Sequence, residues 1–149
     1  MFNPDFKDML SALSDVEADF LLVGAYAMAA HGHPRATGDL DLWVRPNAKN
    51  AQKVFLALAK FGAPLHDLDV EDLSTPGIVF QIGVEPSRID ILTAISGVEF
   101  FDAWDRRQSI ELDGIALNVI SRNDLIANKR ASGRPKDIAD VLTLLQANS

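Results

Sequence analysis

Two aspartates one residue apart, Asp39 and Asp41, lie in a segment at residues 37–44, and a third, Asp90, lies in an apolar segment at residues 88–92. Alternate residues of a strand point to the same face, so we expect the first two carboxylates to project together from a sheet. If Asp90 lies on the neighbouring strand, all three converge. Carboxylates at close range repel each other unless a hard cation holds them, and Mg²⁺ prefers a few carboxylates plus substrate phosphates. The pattern predicts metal-assisted phosphoryl or nucleotidyl transfer.

A second feature is the dipeptide Gly24-Ala25, which follows a short apolar segment and opens a helical one. Glycine at such a turn lets a phosphate approach the backbone, and the free amides at a helix start favour an anion. Because the chain then returns as the strand with Asp39 and Asp41, a phosphate cradle and a metal site would face each other across adjacent strands. Glycine at this kind of turn is also common for steric reasons. Each aspartate alone also fits a turn or a solvent-facing strand position, so the inference depends on the ordered set.

Turn and cap residues divide the chain into helices and strands. Asn3-Pro4 and Asn47 predict helix starts, Gly62 predicts a helix end, and Asp113-Gly114 predicts a two-residue hairpin. The predicted helices cover residues 4–16, 25–30, 48–61, 99–106, 121–131 and 136–147. The predicted strands cover residues 20–23, 40–44, 78–84, 88–92, 109–112 and 115–120, and residues 63–76 are expected to form an irregular acidic loop.

These elements predict the α/β (α+β) class, with a mixed sheet flanked by helices in a single domain. The domain is expected to span residues 1–149, with a short helical C-terminal extension at residues 121–149. A chain of this length is long enough to bury one substantial core.

Composition narrows the function classes. The chain has no cysteine, which excludes disulfides, thiolate zinc sites and cysteine nucleophiles. Its net charge of −7 argues against sequence-blind adhesion to nucleic acid. Neither a signal peptide nor a bilayer-spanning apolar segment is readable, so we expect a cytoplasmic protein with no membrane partner.

The ordered motifs resemble the nucleotidyltransferase superfamily related to DNA polymerase beta. Members of that superfamily have a glycine-containing turn, an Asp-x-Asp strand and a third acidic strand residue, as in Gly24-Ala25, Asp39-Leu40-Asp41 and Asp90 here. Residues 88–98 and 128–137 are most similar to small bacterial nucleotidyltransferase-like proteins of the AbiEii and MNT types. The resemblance covers about residues 20–145. Ala25 departs from the pattern, because many active members have serine at this position.

The resemblance implies a fold, an activity and roles for the acids. Asp39 and Asp41 would bind two Mg²⁺ ions, while Asp90 would bind one of them and activate the attacking hydroxyl. A carboxylate between a metal and an incoming hydroxyl can accept its proton, so the chemistry agrees. The substrate would be an NTP, with Gly24 and Ala25 against its phosphates.

Three further residues near the motifs are candidate nucleotide or phosphate ligands: Arg35, Thr37 and Arg88. An arginine fork can hold a phosphate oxygen or can pair with an acid, and both interpretations stay open here. Thr37 also fits a role in organising its loop through backbone hydrogen bonds.

A basic cluster follows near the C-terminus, at residues 129–136 of an otherwise acidic chain. The resemblance implies that Lys129 reaches the nucleotide phosphates, with Asp137 or Asp140 holding the basic side chains in place. A cation near a helix end also gains a few tenths of a kcal/mol from the helix dipole, which is the alternative explanation.

The remaining conspicuous side chains are better explained by structure than by chemistry. His31 and His33 flank Gly32 without a fixed third ligand, so we expect helix-end histidines rather than a zinc site. Trp43 and Trp104 are expected in the core rather than as platforms for a base.

The leading hypothesis is a Mg²⁺-dependent nucleotidyltransferase that passes NMP from an NTP to an acceptor. Transfer RNA, a protein hydroxyl and a small molecule all fit as acceptors, and a homodimer or a heteromeric partner could supply the acceptor surface. The alternative is a non-catalytic nucleotide-binding module, for example a toxin–antitoxin partner, since Ala25 replaces serine and only two short helices follow the sheet. A metal-dependent nuclease is a third possibility.

Overall fold

A computed structural model of the chain describes residues 2–34 and 38–146. Its helices are α1 Pro4–Asp15, α2 Gly24–Ala30, α3 Ala48–Phe61, α4 Val70–Ser74, α5 Phe100–Asp105, α6 Arg122–Ser132 and α7 Pro135–Gln146. Its strands are β1 Phe20–Val23, β2 Leu40–Val44, β3 Val79–Ile82, β4 Ile89–Leu92, β5 Gln108–Leu112 and β6 Ile115–Val119.

The strands form one mixed sheet in the order β3-β4-β2-β1-β6-β5. Strand β2 is antiparallel to β1 and parallel to β4, so it contacts the two strands that the sequence motifs mark. Its residue Asp41 lies opposite Asp90 on β4 and opposite Val23 on β1. The expected mixed α/β architecture is confirmed, and its central strands bring the glycine turn and the aspartates together.

Cap residues fix the helix boundaries. The side chains of Asn3, Asn47 and Ser121 each accept a backbone N–H bond from the residue three positions ahead, which satisfies an otherwise free amide. Helices α3 and α6 end at Gly62 and Gly133, both left-handed, where a side chain is disfavoured. The predicted helix over residues 48–61 is therefore confirmed at both ends.

The hydrophobic core lies on both sides of the central strands. All four residues of β1 are buried, and in β2 the aspartate is the only position that is not. Trp43 is buried and packs edge-on against Phe100 at 5.0 Å between ring centroids. Trp104 is half-buried and stacks on the same ring at 5.6 Å. Both tryptophans thus pack against the core, as expected.

Residues 63–76 differ from the prediction of an irregular loop. They contain the five-residue helix α4, whose N-cap backbone N–H at Asp69 donates to the Asp72 carboxylate at 2.9 Å. A helix this short shows less than two turns of apolar periodicity, so the helical pattern is not visible in the sequence. Among the described residues, none of the helices has both the length and the apolar character needed to cross a bilayer.

Candidate active site

The three aspartates of the sequence motifs lie together at one end of β2 and β4. Asp41 and Asp90 are opposite each other on these parallel strands, and Asp39 directly precedes β2. Their carboxylates line a single cavity of about 520 Å³. The parallel register produces this convergence, because it places Leu40 opposite Ile89 and thus Asp41 opposite Asp90.

Arg88 is the cation closest to this cluster. Its Nη2 lies 2.7 Å from Asp39 Oδ2, and its Nε donates to Asp90 Oδ1 at 2.9 Å. Its Nη1 lies 3.3 Å from Glu85 Oε1 on the turn that joins β3 to β4. Of the two interpretations left open by the sequence, the structure therefore shows pairing with acids.

Burial and neighbouring carboxylates make Asp41 harder to ionise. Burial, followed by the charge of Asp90 and contact with its carboxylate, raises the pKa of Asp41 to about 7. Burial also raises the pKa of Asp39, and the nearby Arg88 offsets only part of this effect. One guanidinium thus does not balance three carboxylates at this position.

Gly24 brings the backbone of the β1–α2 turn into contact with Asp41. Its φ is +70°, and a Cβ at this position would lie 2.2 Å from Asp41 Oδ2. Ala25, the next residue, lies close to Gly38, where an added Cβ would be 2.9 Å from the alanine Cβ. The glycines therefore permit a close approach between the turn and the aspartate strand, and both residues of the turn line the cavity.

The same cavity is also lined by basic side chains from α6, from α7 and from the short connection between them. Lys129 is buried, with its Nζ 2.7 Å from Asp140 Oδ2 and 3.7 Å from Asp137 Oδ1. Arg134 donates to the same Asp137 through Nε at 2.6 Å. Arg134 and Lys136 also line the cavity and are exposed. Two buried aspartates thus pair with Lys129 and Arg134, while the role of Lys129 toward a nucleotide stays a prediction.

The carboxylates fit a divalent cation in charge and chemistry. Three carboxylates on one cavity, with Arg88 paired to two of them, form the kind of oxygen-donor set that Mg²⁺ binds. As placed, no three acidic or histidine side chains among residues 2–34 and 38–146 surround one point as metal ligands do. Arg88 lies between Asp39 and Asp90, so these oxygens would have to exchange partners to bind a metal.

Comparison with known proteins agrees with this geometry. A family model described as "Nucleotidyl transferase of unknown function (DUF2204)" matches residues 3–148. The chain belongs to this family. No curated protein sequence matches the chain.

Solved structures of other nucleotidyltransferase-like proteins share the fold of this family member. A candidate nucleotidyltransferase, TM1012 from Thermotoga maritima, is 13% identical with a TM-score of 0.63, and the match covers 99% of this chain and 96% of that one. The lincosamide antibiotic adenylyltransferase LnuA, solved with lincomycin bound, is 14% identical with a TM-score of 0.62. That match covers 97% of this chain and 96% of LnuA.

Arg35 and Thr37 lie outside the described residues, so their predicted roles stay predictions. His31 Nε2 lies 2.8 Å from the backbone oxygen of Ile120, in keeping with a helix-end histidine that ties α2 to the end of β6. Among the described part of the chain, no histidine belongs to a group arranged to hold a metal.

Glu85 was missed by sequence reasoning and lines the cavity next to Arg88. The turn it occupies was predicted, but nothing in the sequence shows that this turn closes over the aspartates. The signal that could have located it is its spacing of three residues from Arg88, which permits an ion pair around the start of β4.

Proposed function

We propose that this protein is a Mg²⁺-dependent nucleotidyltransferase that passes NMP from an NTP to a hydroxyl acceptor. The observation that carries the proposal is the single cavity in which Asp41 and Asp90 lie side by side and Gly24 touches Asp41, and which Lys129 also lines. A cavity lined by both carboxylates and basic side chains is suited to bind a polyphosphate chain together with a divalent cation.

The acids have distinct roles in this proposal. Asp39 and Asp41 would hold both metal ions, and Asp90 would hold one. Bound Mg²⁺ would neutralise charge on the phosphates and favour attack at the α-phosphorus. Asp90 accepts the proton of the acceptor hydroxyl while the hydroxyl oxygen forms a bond to the α-phosphorus. The bond to the bridging oxygen breaks at the same centre, and pyrophosphate leaves.

The remaining residues predicted to bind the nucleotide hold the triphosphate in this proposal. Gly24 and Ala25 present backbone atoms to it without a side chain in the way, and Lys129 supplies a fixed positive charge. Arg35 and Thr37, which precede β2 in the sequence, are proposed to complete the set. Ala25 lacks the hydroxyl that many related enzymes have, so this contact is absent.

We propose a small hydroxylated molecule as the acceptor class to test first. The cavity-lining residues include no aromatic side chain on which a nucleic-acid base could stack, within the described ranges. The net charge of −7 disfavours a large RNA surface. LnuA, whose chain matches along 96% of its length, is an adenylyltransferase that acts on lincosamide antibiotics.

The test is transfer of radioactive label. The protein is incubated with Mg²⁺ and each α-³²P-labelled NTP in turn, together with separate fractions of RNA, protein and small metabolites. We expect label on one class of acceptor, with an equal amount of pyrophosphate released. Excess chelator should stop both. Pyrophosphate and label absent from every fraction would contradict the proposal.

A non-catalytic nucleotide-binding module is the second candidate. The observation in its favour is Ala25 on the cavity wall, at the position where many related enzymes have serine. Such a module could serve as one half of a toxin–antitoxin pair or of a homodimer. It predicts tight NTP binding by calorimetry without pyrophosphate release in any fraction.

A further inference from the structure

The Arg88 guanidinium lies where a metal would need its ligands. Its Nη2 is 2.7 Å from Asp39 Oδ2 and 3.2 Å from Asp90 Oδ2, and its Nε is 2.9 Å from Asp90 Oδ1. Its Nη1 lies 3.3 Å from Glu85. The single guanidinium thus contacts Asp39, Asp90 and Glu85. The first two of these are proposed above to hold the divalent cation.

We propose that Arg88 is an internal counter-ion that competes with the divalent cation for Asp39 and Asp90 and is drawn away by the triphosphate of the incoming NTP. Metal and nucleotide therefore load together, and the nucleotide-free protein has a weak metal site. This inference rests on the proposed function and adds a control on when the site becomes active.

The competition follows from charge and geometry. The side chains of Asp39 and Asp90 are only 15% and 11% exposed, so water screens their charges poorly, and a nearby positive charge offsets the repulsion between them. The guanidinium supplies that charge through two parallel N–H···O bonds to Asp90. A divalent cation bound by the same oxygens would lie within a few ångströms of this positive charge, so the two cations exclude each other.

The cavity offers Arg88 a second partner. Arg88 lines the same cavity as Gly24 and Lys129, so a triphosphate in that cavity lies within its reach. Lys129 cannot exchange partners as readily, because its side chain is 11% exposed and its Nζ lies 2.7 Å from Asp140. Arg88 is 25% exposed and directly precedes β4, so its side chain is the cation that can move from the carboxylates to a phosphate.

The test compares the binding of Mn²⁺ alone and of inorganic triphosphate alone. Wild type, Arg88→Met, Arg88→Lys and Asp41→Asn are titrated with Mn²⁺ at pH 8, and the free ion is measured by electron paramagnetic resonance. Inorganic triphosphate binding is measured separately by calorimetry in the presence of chelator. Circular dichroism spectra and thermal melts show that each variant is folded.

We expect Arg88→Met to bind Mn²⁺ at least about tenfold more tightly than wild type, because the competing charge is gone. The same variant should bind metal-free triphosphate about tenfold more weakly. Arg88→Lys keeps the charge but cannot bridge both carboxylates, so its Mn²⁺ affinity should lie between the two. If Arg88→Met does not fold, Arg88→Lys carries the test alone.

Mn²⁺ binding that is unchanged or weaker in the Arg88 variants would overturn the proposal, since an arginine that merely positions the acids predicts a loss of affinity. The Asp41→Asn variant separates this failure from a failure of the proposed function. If Asp41→Asn loses Mn²⁺ while the Arg88 variants bind no more tightly, only the counter-ion role is wrong. If Asp41→Asn binds Mn²⁺ as well as wild type, the metal site itself is wrong.

Discussion

Replacement of Gly24 by alanine should abolish transfer while leaving the protein folded. The added Cβ would lie 2.2 Å from Asp41 Oδ2, whereas ordinary contacts begin near 3.4 Å. The carboxylate must therefore move by about 1 Å, and displacements of this size in a catalytic group can lower a rate by about 100-fold. We expect kcat/KM for NMP transfer to fall by at least about 100-fold.

The stability cost has a different origin. Gly24 has a φ of +70°, and a side chain in the left-handed region costs about 1–2 kcal/mol. In a domain of this size, 1 kcal/mol corresponds to a change in Tm of about 2–4 °C. The variant should melt several degrees below wild type and remain folded at 25 °C, as measured by calorimetry.

Gly77→Ala is the matched control. Gly77 also has a positive φ, +93°, but a Cβ there would meet no atom within 4 Å. It should lose a similar amount of stability and keep full activity. Equal activity in Gly24→Ala and Gly77→Ala would refute the role of the close contact between the turn and Asp41. An equal loss of activity in both would show that instability, not the contact, is the cause.

Three further predictions concern the charged groups and the turn. The pKa of Asp41 rises from 3.8 in the unfolded chain to about 7 in the metal-free folded protein. Between pH 3.8 and about pH 7 the folded protein therefore binds more protons than the unfolded chain does. Its stability should therefore fall by up to about 4 kcal/mol as pH rises from 4 to 8, and urea denaturation in chelator should show a much flatter profile for Asp41→Asn. Asp140→Ala removes the carboxylate 2.7 Å from the buried Lys129 Nζ, so the free energy of unfolding measured in urea should fall by about 3 kcal/mol. The double variant Lys129→Met with Asp140→Leu removes both charges and should lose less stability. Ala25→Ser adds a hydroxyl to the cavity wall and should lower the Kd for NTP in calorimetry; an unchanged Kd would place that hydroxyl away from the phosphates.

Local signals in the sequence were sufficient for most of the fold. The hairpin between β5 and β6 forms at Asp113-Gly114, where both residues have positive φ, as a two-residue turn of this composition requires. Helix α3 begins and ends at its predicted cap residues, Asn47 and Gly62, because each satisfies backbone groups that would otherwise be free. These features depend on a few neighbouring residues, so the sequence is enough to identify them.

The candidate site was only partly accessible from the sequence. Alternation along β2 predicts that Asp39 and Asp41 share a face, but the convergence with Asp90 depends on the parallel register between β2 and β4. That register is set by long-range packing, which no local pattern reveals. The bridge from Arg88 to Asp39 follows from the same pairing, so it becomes visible only in three dimensions.

If the aspartate cluster performs NMP transfer, Asp41→Asn and Asp67→Asn should differ sharply in pyrophosphate release. Asp67 is exposed and lies outside the cavity lining, so its variant controls for the loss of one acidic charge. Pyrophosphate release from an NTP is measured for both variants and wild type, with Mg²⁺ and the acceptor fraction that takes up label. We predict that Asp67→Asn matches wild type and that Asp41→Asn, while folded, loses at least about 1,000-fold. Retained release in Asp41→Asn would contradict the account.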